Sequence, residues 1–405
     1  MKKLALLLVL LLFVSSCAIN KTTKVIPTLP QVQGLTAKGG IREVGLSWNA
    51  VLDPRVEGYI IYRAPKPNGP YKEIAKVSGR LTTKYVDTGG LFKHLQDNTE
   101  YFYKIAVYSA DGVGPASHFV VGKTLPPPLS PTHISATSGL PRMVVIRWQP
   151  PKDHTVVAYN IYRATNPKGP FKKIGRVNGY VNTIYIDKGL KDGTTYYYSV
   201  VSVNFKGVEG DILAVVKATT KYKPMPPRNL SARPTGAGQL TIYWFPSLTA
   251  DVVKYRIYRG DTPNSMAMVG EVPSSKLQFT DKGLEPGKTY YYYVTAVDKD
   301  GLESKPSKTY AFKTKPLPKP PTGISVKQVG KAVILSWTKG SPDTVEYEVF
   351  RKHFLIFTKK IATTKNTYYT DTSVAPNTTY YYYVKSVDKF GQESPPSPEV
   401  KITVK

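Results

Sequence analysis

The sequence is poor in the residues on which most enzyme and metal sites are built. It holds a single cysteine, Cys17, and five histidines among 405 residues. One thiol cannot close an internal disulfide, so the folded parts must rest on their hydrophobic cores. The histidines are His94, His118, His133, His154 and His353. None has metal-ligand spacing to another or to Cys17, so surface positions are expected for them and no metal or cofactor is called for. Neither a glycine-rich phosphate cradle nor a strained serine elbow occurs. Acidic residues are half as frequent as basic ones, 28 against 56, giving a formal charge of +28. The surplus is spread as +4 over residues 28–124, +7 over 128–220, +5 over 226–315 and +6 over 319–405. A nucleic-acid module concentrates its charge in one patch or stripe, so the even spread argues against nucleic acid as partner. It favours acidic partners such as anionic lipid, lipopolysaccharide or sulfated glycan.

Tyrosine, proline and glycine are abundant, with 30, 34 and 31 residues. Many tyrosines among many turn-formers point to an all-β protein of short strands. A hydrophobic fraction of 41% is enough for packed cores.

The first residues, Met1-Lys2-Lys3, are followed by an apolar run from Leu4 to Phe13. Ten apolar residues fall short of the roughly 20 that a spanning helix needs, so residues 1–16 read as a signal peptide. Val14-Ser15-Ser16-Cys17 resembles the bacterial lipobox. That resemblance implies that Cys17 becomes the acylated N-terminus and that a membrane holds the chain. Each buried methylene of the acyl chains contributes about 0.8 kcal/mol to such an anchor. Ala18 stands where an aspartate favours inner-membrane retention, so the resemblance leans towards the outer membrane. Residues 17–27 are expected to be the lipidated cysteine and a polar tether.

Self-similarity organises the rest. Trp48, Trp148, Trp244 and Trp337 are 100, 96 and 93 residues apart. Each precedes an alternating run: Tyr59 to Arg63, Tyr159 to Arg163, Tyr255 to Arg259, and Tyr347 to Arg351. Asp87, Asp187, Asp281 and Asp371 follow near turns, and then come aromatic strands containing Tyr101, Tyr196, Tyr290 and Tyr380. The turns that end those strands hold Gly112, Gly207, Gly301 and Gly391. A period near 95 residues is too long for a solenoid unit and fits a whole sandwich domain. In the third repeat, Tyr290, Tyr292, Val294 and Ala296 share one face and are expected in the core.

These residues resemble tandem fibronectin type III domains, and the resemblance covers 28–405. It implies four immunoglobulin-like β-sandwiches of seven strands, with the tryptophan in the core. It also implies a tyrosine corner at Tyr101, Tyr196, Tyr290 and Tyr380, its hydroxyl bonded back to the backbone. The expected domains are 28–124, 128–220, 226–315 and 319–405. The joints between them are Leu125 to Pro128, Lys223 to Pro227, and Lys315 to Pro321. Proline linkers favour extended conformations, so a rod is expected. The repeats account for the chain to its last residues, so no catalytic segment and no enzyme activity are expected.

Three stretches are candidates for binding. Arg259-Gly260-Asp261 resembles an integrin-recognition tripeptide, but Arg63, Arg163 and Arg351 occupy the same place in the other repeats. The chain is similar to the fibronectin-like adhesin lipoproteins of Campylobacter-type bacteria, which bind host fibronectin through the region matching Trp148 to Val156. That similarity nominates Lys152, Asp153 and His154, although the arginines of that family are missing here. Finally, Phe102, Tyr197, Tyr291, Tyr293, Tyr381 and Tyr383 form an outward aromatic column suited to cross-strand packing, sugar stacking or an extended peptide. The expected function is that of a lipid-anchored envelope binding protein, adhesin-like, with a matrix protein such as fibronectin or a polysaccharide as ligand. The alternative is a periplasmic scaffold or spacer lipoprotein.

Overall fold

A computed structural model describes residues 24–90, 93–353 and 357–405. Cys17, the leader and most of the expected tether lie outside the described residues. Every regular element among the described residues is a strand. In the first repeat these are β1 (Thr36–Gly40), β2 (Glu43–Ser47), β3 (Gly58–Ala64), β4 (Lys72–Ser78), β5 (Lys84–Asp87), β6 (Glu100–Tyr108) and β7 (Val120–Lys123). The second holds β8 (Thr132–Thr137), β9 (Met143–Gln149), β10 (Val156–Ala164), β11 (Lys172–Asn178), β12 (Ile184–Lys188), β13 (Thr195–Asn204) and β14 (Val216–Thr219). The third holds β15 (Arg228–Gly236), β16 (Gln239–Phe245), β17 (Val252–Thr262), β18 (Ser265–Pro273), β19 (Gln278–Asp281), β20 (Thr289–Asp298) and β21 (Tyr310–Lys313). The fourth holds β22 (Thr322–Val329), β23 (Ala332–Thr338), β24 (Thr344–His353), β25 (Phe357–Thr364), β26 (Tyr368–Asp371), β27 (Thr379–Asp388) and β28 (Val400–Thr403).

Each repeat forms a three-stranded and a four-stranded antiparallel sheet. In the third repeat the orders are β15-β16-β19 and β18-β17-β20-β21, and the other repeats follow the same scheme. The fold is therefore the expected tandem of fibronectin type III-like sandwiches. By packing, the strands fall into two compact units. One contains β1–β14, and the other contains β15–β28 together with residues 139–142 and 189–194. The joint at 125–128 lies inside the first unit, and the joints at 223–227 and 315–321 lie inside the second.

Alternation along each strand sets the core. On β20, Tyr290, Tyr292, Val294 and Ala296 point inward with at most 5% exposure, as their spacing predicts. Each tryptophan packs edge-on against the first tyrosine of the following strand. Ring centroids are 5.2 Å apart for Trp48–Tyr59 and Trp148–Tyr159, 5.6 Å for Trp244–Tyr255 and 5.4 Å for Trp337–Tyr347. The tyrosine corner is present as expected where Tyr101, Tyr290 and Tyr380 accept the amides of Gln96, Glu285 and Ala375. Gly112, Gly207, Gly301 and Gly391 all have positive φ, which the turns after β6, β13, β20 and β27 require.

One expectation needs correction. Residues 24–27 are not free tether. The Ile26 amide donates to the Val113 carbonyl, the Val113 amide donates to Lys24, and Ile26 packs on the first repeat's core. An apolar residue followed by Pro27 does better against a sandwich than in water, which the polar neighbours concealed in the sequence.

Candidate functional site

The charged side chains that recur in every repeat have internal partners. Arg63, Arg163, Arg259 and Arg351 each donate through Nη1 to the buried aspartate of the same repeat, at 2.8–3.0 Å. The same aspartate accepts the hydroxyl of a core tyrosine. The pairs are Tyr103–Asp87 at 2.9 Å, Tyr198–Asp187 at 2.8 Å, Tyr292–Asp281 at 2.7 Å and Tyr382–Asp371 at 2.8 Å. Burial and the neighbouring carboxylate push those four tyrosines far above the ordinary phenol range. Each arginine also lies over its corner tyrosine, 5.1–5.5 Å from the ring centre. Arg259-Gly260-Asp261 is thus divided. Arg259 belongs to this network, while Asp261 is exposed and pairs with Lys288 at 3.4 Å.

The loop holding Lys152, Asp153 and His154 has a structural member. Asp153 Oδ1 accepts both the amide and the hydroxyl of Thr155, and Oδ2 accepts the Leu129 amide at 3.0 Å. Burial raises its pKa, but these bonds and nearby His154 outweigh that and hold the carboxyl below its usual range. The same tie recurs at the other joints, where the Met225 amide donates to Thr249 and the Lys319 amide to Ser341. Asp153 therefore pins the joint to the sandwich. Lys152 and His154 are exposed and available to a partner. His94, His118 and His133 are exposed too, and His353 packs against Tyr380 with ring centres 5.3 Å apart.

The aromatic column is half-buried, as an outer sheet face should be. Tyr293 stacks on Tyr258 at 4.7 Å, Tyr383 on Phe350 at 4.8 Å, and Phe102 meets Phe119 edge-on at 5.6 Å. The first two are directly opposed cross-strand pairs, and Tyr293 and Tyr383 spend part of their area on them.

Two features of the second unit escaped sequence reasoning. Asp251, Asp298 and Asp300 converge as a metal-binding group would. The Lys221 ammonium sits among them, 2.6 Å from Asp251 and 2.7 Å from Asp298, and it also meets Asp300. Burial lowers the pKa of Lys221, yet the three carboxylates more than offset this, so it lies above that of an ordinary lysine. Lys315 repeats the arrangement with Asp343 and Asp388. The signal was the lysine following Thr220 and Thr314, where the first repeat has Leu125 after Thr124.

The second feature is a groove of about 670 Å³ in the third repeat. Phe245, Val272, Leu277 and Phe279 give it apolar walls, and Tyr243, Ser275, Lys276 and Gln278 give it polar ones. A shortened turn opens it. Equivalent amides after β11 and β18, on Gly179 and Ser274, donate to Val157 and Val253. That places Ser275 where the second repeat has Tyr180. There the Tyr180 carbonyl accepts the Tyr159 hydroxyl and its own hydroxyl donates to Pro151. The Ser275 side chain is too small to fill that volume.

Comparison with known proteins agrees with the geometry. The family model "Fibronectin type III domain" matches residues 225–312. The chain is 28% identical over 301 residues to Exoglucanase B of Cellulomonas fimi, covering 69% of this chain and 26% of that protein. It is 27% identical over 321 residues to Tyrosine-protein phosphatase Lar-like of Caenorhabditis elegans, covering 76% and 14%. Netrin receptor DCC of Mus musculus is 25% identical over 265 residues, 60% of this chain and 18% of the receptor. The chain thus spans about a quarter or less of the length of these relatives. Among solved structures, that of chicken CNTN1 FN1-FN3 domains aligns at 17% identity with a TM-score of 0.25, covering 69% of this chain and 98% of that one. Domains of this type occur in adhesion, receptor and cell-surface proteins, and their architecture is typically non-catalytic.

Proposed function

We propose that this chain is a non-catalytic binding protein of the bacterial cell envelope, anchored through acylated Cys17 and presenting its sandwiches to a macromolecular ligand. One observation carries the reading. The arginine, aspartate and core-tyrosine groups common to all four repeats are spent on one another inside each sandwich, while exposed faces and loops differ from repeat to repeat. Shared interiors with divergent surfaces suit a string of recognition modules better than a catalytic centre, which needs unpaired chemical groups converging in one place. The match to cell-surface and receptor proteins supports the same reading.

The ligand is a matrix protein, with fibronectin the first candidate, or a surface polysaccharide. Lys152 and His154 are the contacts on the second repeat, and Asp153 holds their loop. Retention of the full chain on immobilised fibronectin at physiological salt, lost in a Lys152→Ala/His154→Ala variant, is the expected result. No retention of the wild type removes fibronectin as ligand. Protease shaving of intact cells tests the location. Cleavage before the outer membrane is permeabilised fits an adhesin, and protection until then favours the spacer alternative. Labelled palmitate incorporated by wild type and not by Cys17→Ser tests the anchor.

A further inference from the structure

We infer that the free edge of β18, together with the groove at its end, takes up an extended acidic segment of a partner protein as an added strand. The inference rests on the reading of the chain as a binding protein.

β18 is the outer strand of its sheet, hydrogen-bonded only to β17. Every second residue of such a strand turns its N–H and C=O away from the sheet, which makes a template for another strand. Natural edges are guarded by lysines, prolines or shortness. The equivalent strands of the other repeats follow that rule: β4 carries Lys72 and Lys76, β11 carries Lys172, Lys173 and Arg176, and β25 carries Lys359 and Lys360. β18 carries no lysine or arginine, and its guards, Glu271 and Pro273, stand only at its end: Ser265 to Gly270 contains neither charge nor proline, and Met268 is 55% exposed. The strand is also the longest of the four, nine residues, because Thr262 pairs with Ser265 across a tight turn. At Gly270 the Phe279 ring packs against the backbone, since a Cβ there would lie 2.3 Å from that ring.

The groove starts where this edge ends. Val272 of β18 lines it, as do Leu277 and Phe245, both exposed. A strand laid along β18 would thus deliver an apolar side chain into it, the usual division between main-chain affinity and pocket specificity in strand addition. The charge of the occupant follows from two cations at the groove, since Glu271 on the edge itself is already paired with Lys254 and Arg256. Lys276 lines it, and Arg233 lies 5.1 Å from the ring centre of Tyr243. Neither forms an ion pair with a carboxylate among the described residues. Carboxylates on the incoming segment would supply the partners. A second copy of this chain, formally +28, is disfavoured at the same edge by like charge.

The test uses the full chain and a short synthetic peptide in which glutamate alternates with valine around one phenylalanine. Binding is read by fluorescence anisotropy, and strand addition by hydrogen–deuterium exchange. The expected result is slowed exchange over residues 265–272 on peptide addition, with affinity reduced at least about tenfold by Met268→Lys and by Ser275→Tyr. Both variants place at exposed positions the residue type that the second repeat carries there, Lys173 and Tyr180, so the fold should survive, and an unchanged melting curve verifies this. Peptide binding that both variants leave intact overturns the inference, as does protection elsewhere in the chain. Self-association of the peptide-free chain that Met268→Lys abolishes also overturns it, by making a second copy the occupant. Lys152 and His154 are remote in sequence and belong to the other unit, so failure of the fibronectin test leaves this result independent.

Discussion

Arg259 Nη1 lies 2.9 Å from each carboxylate oxygen of Asp281, whose residue is 5% exposed. The arginine is the first residue of an apparent integrin tripeptide, yet its donor is turned into the sandwich. Removing one partner of a buried pair leaves the other uncompensated, at about 3–5 kcal/mol. Arg259→Ala is therefore expected to destabilise the third repeat by roughly that amount. Asp261→Ala, at an exposed position, should shift stability by less than about 0.5 kcal/mol. Exchange protection of β17 and β20 amides distinguishes the two, and equal protection in both variants would show the network to be idle.

The fourth repeat should be sensitive to acid. Burial raises the pKa of Asp371, but the Ser373 amide and hydroxyl, the Tyr382 hydroxyl and Arg351 outweigh it, so its carboxyl titrates below the ordinary 3.8. A depressed carboxylate contributes stability that is fully present above its unfolded pKa and is lost as pH falls through the folded value. Protection of β24 and β27 is expected to be flat from neutral pH down to about 5 and to fall below about 4. Asp371→Asn should lower it at neutral pH and flatten the acid limb. An acid limb as steep as in the wild type would assign the effect to other carboxylates.

The Lys221 cluster predicts a compensating pair. Asp298 Oδ1 accepts the amides of Asp300 and Leu302, while Oδ2 faces Lys221. In the second repeat Asn204 makes the same two amide bonds, and Leu125 occupies the lysine's position in the chain. Lys221→Met alone should strand a buried carboxylate and cost about 3 kcal/mol. Adding Asp298→Asn should recover most of that, which a double-mutant cycle measures. Because the lysine's pKa is raised, its contribution is fully present below about pH 10 and is lost only as pH climbs through the higher folded value. Additive losses in the cycle would sink the coupling.

How far the sequence speaks depends on whether a feature is repeated. Trp148, Tyr290 and Arg259 each recur four times at near-constant spacing, so strand, core face and corner were legible from pattern alone. The Arg–Asp partnership was half legible. Both residues were visible as repeat features, but their separation drifts from 24 positions to 20, and only the β3–β5 type of stacking across sheets shows that they meet. The groove was not legible, because it arises from one residue deleted in a turn and from Ser275 standing where Tyr180 stands elsewhere. The lysine sockets were hidden for a related reason. They join a residue at the end of one repeat to carboxylates in the next, contacts that no periodicity within a repeat can report.

The loop of the second repeat offers the sharpest separation of structure from contact. Trp148 is 4% exposed and packs edge-on against Tyr159. Truncation to alanine removes a large core side chain and should cost about 3–5 kcal/mol, so any loss of binding in that variant reports unfolding. Lys152 and His154 protrude from the same loop without entering the core. Their alanine variants are expected to melt within about 0.5 kcal/mol of wild type. Asp153→Ala lies between the two cases, since it frees the Leu129 amide and both Thr155 donors and should cost about 1–2 kcal/mol. Chemical denaturation monitored by tryptophan fluorescence orders the variants. If Asp153→Ala melts with Lys152→Ala and His154→Ala, the aspartate does not pin the joint, and a contact role would be restored to it.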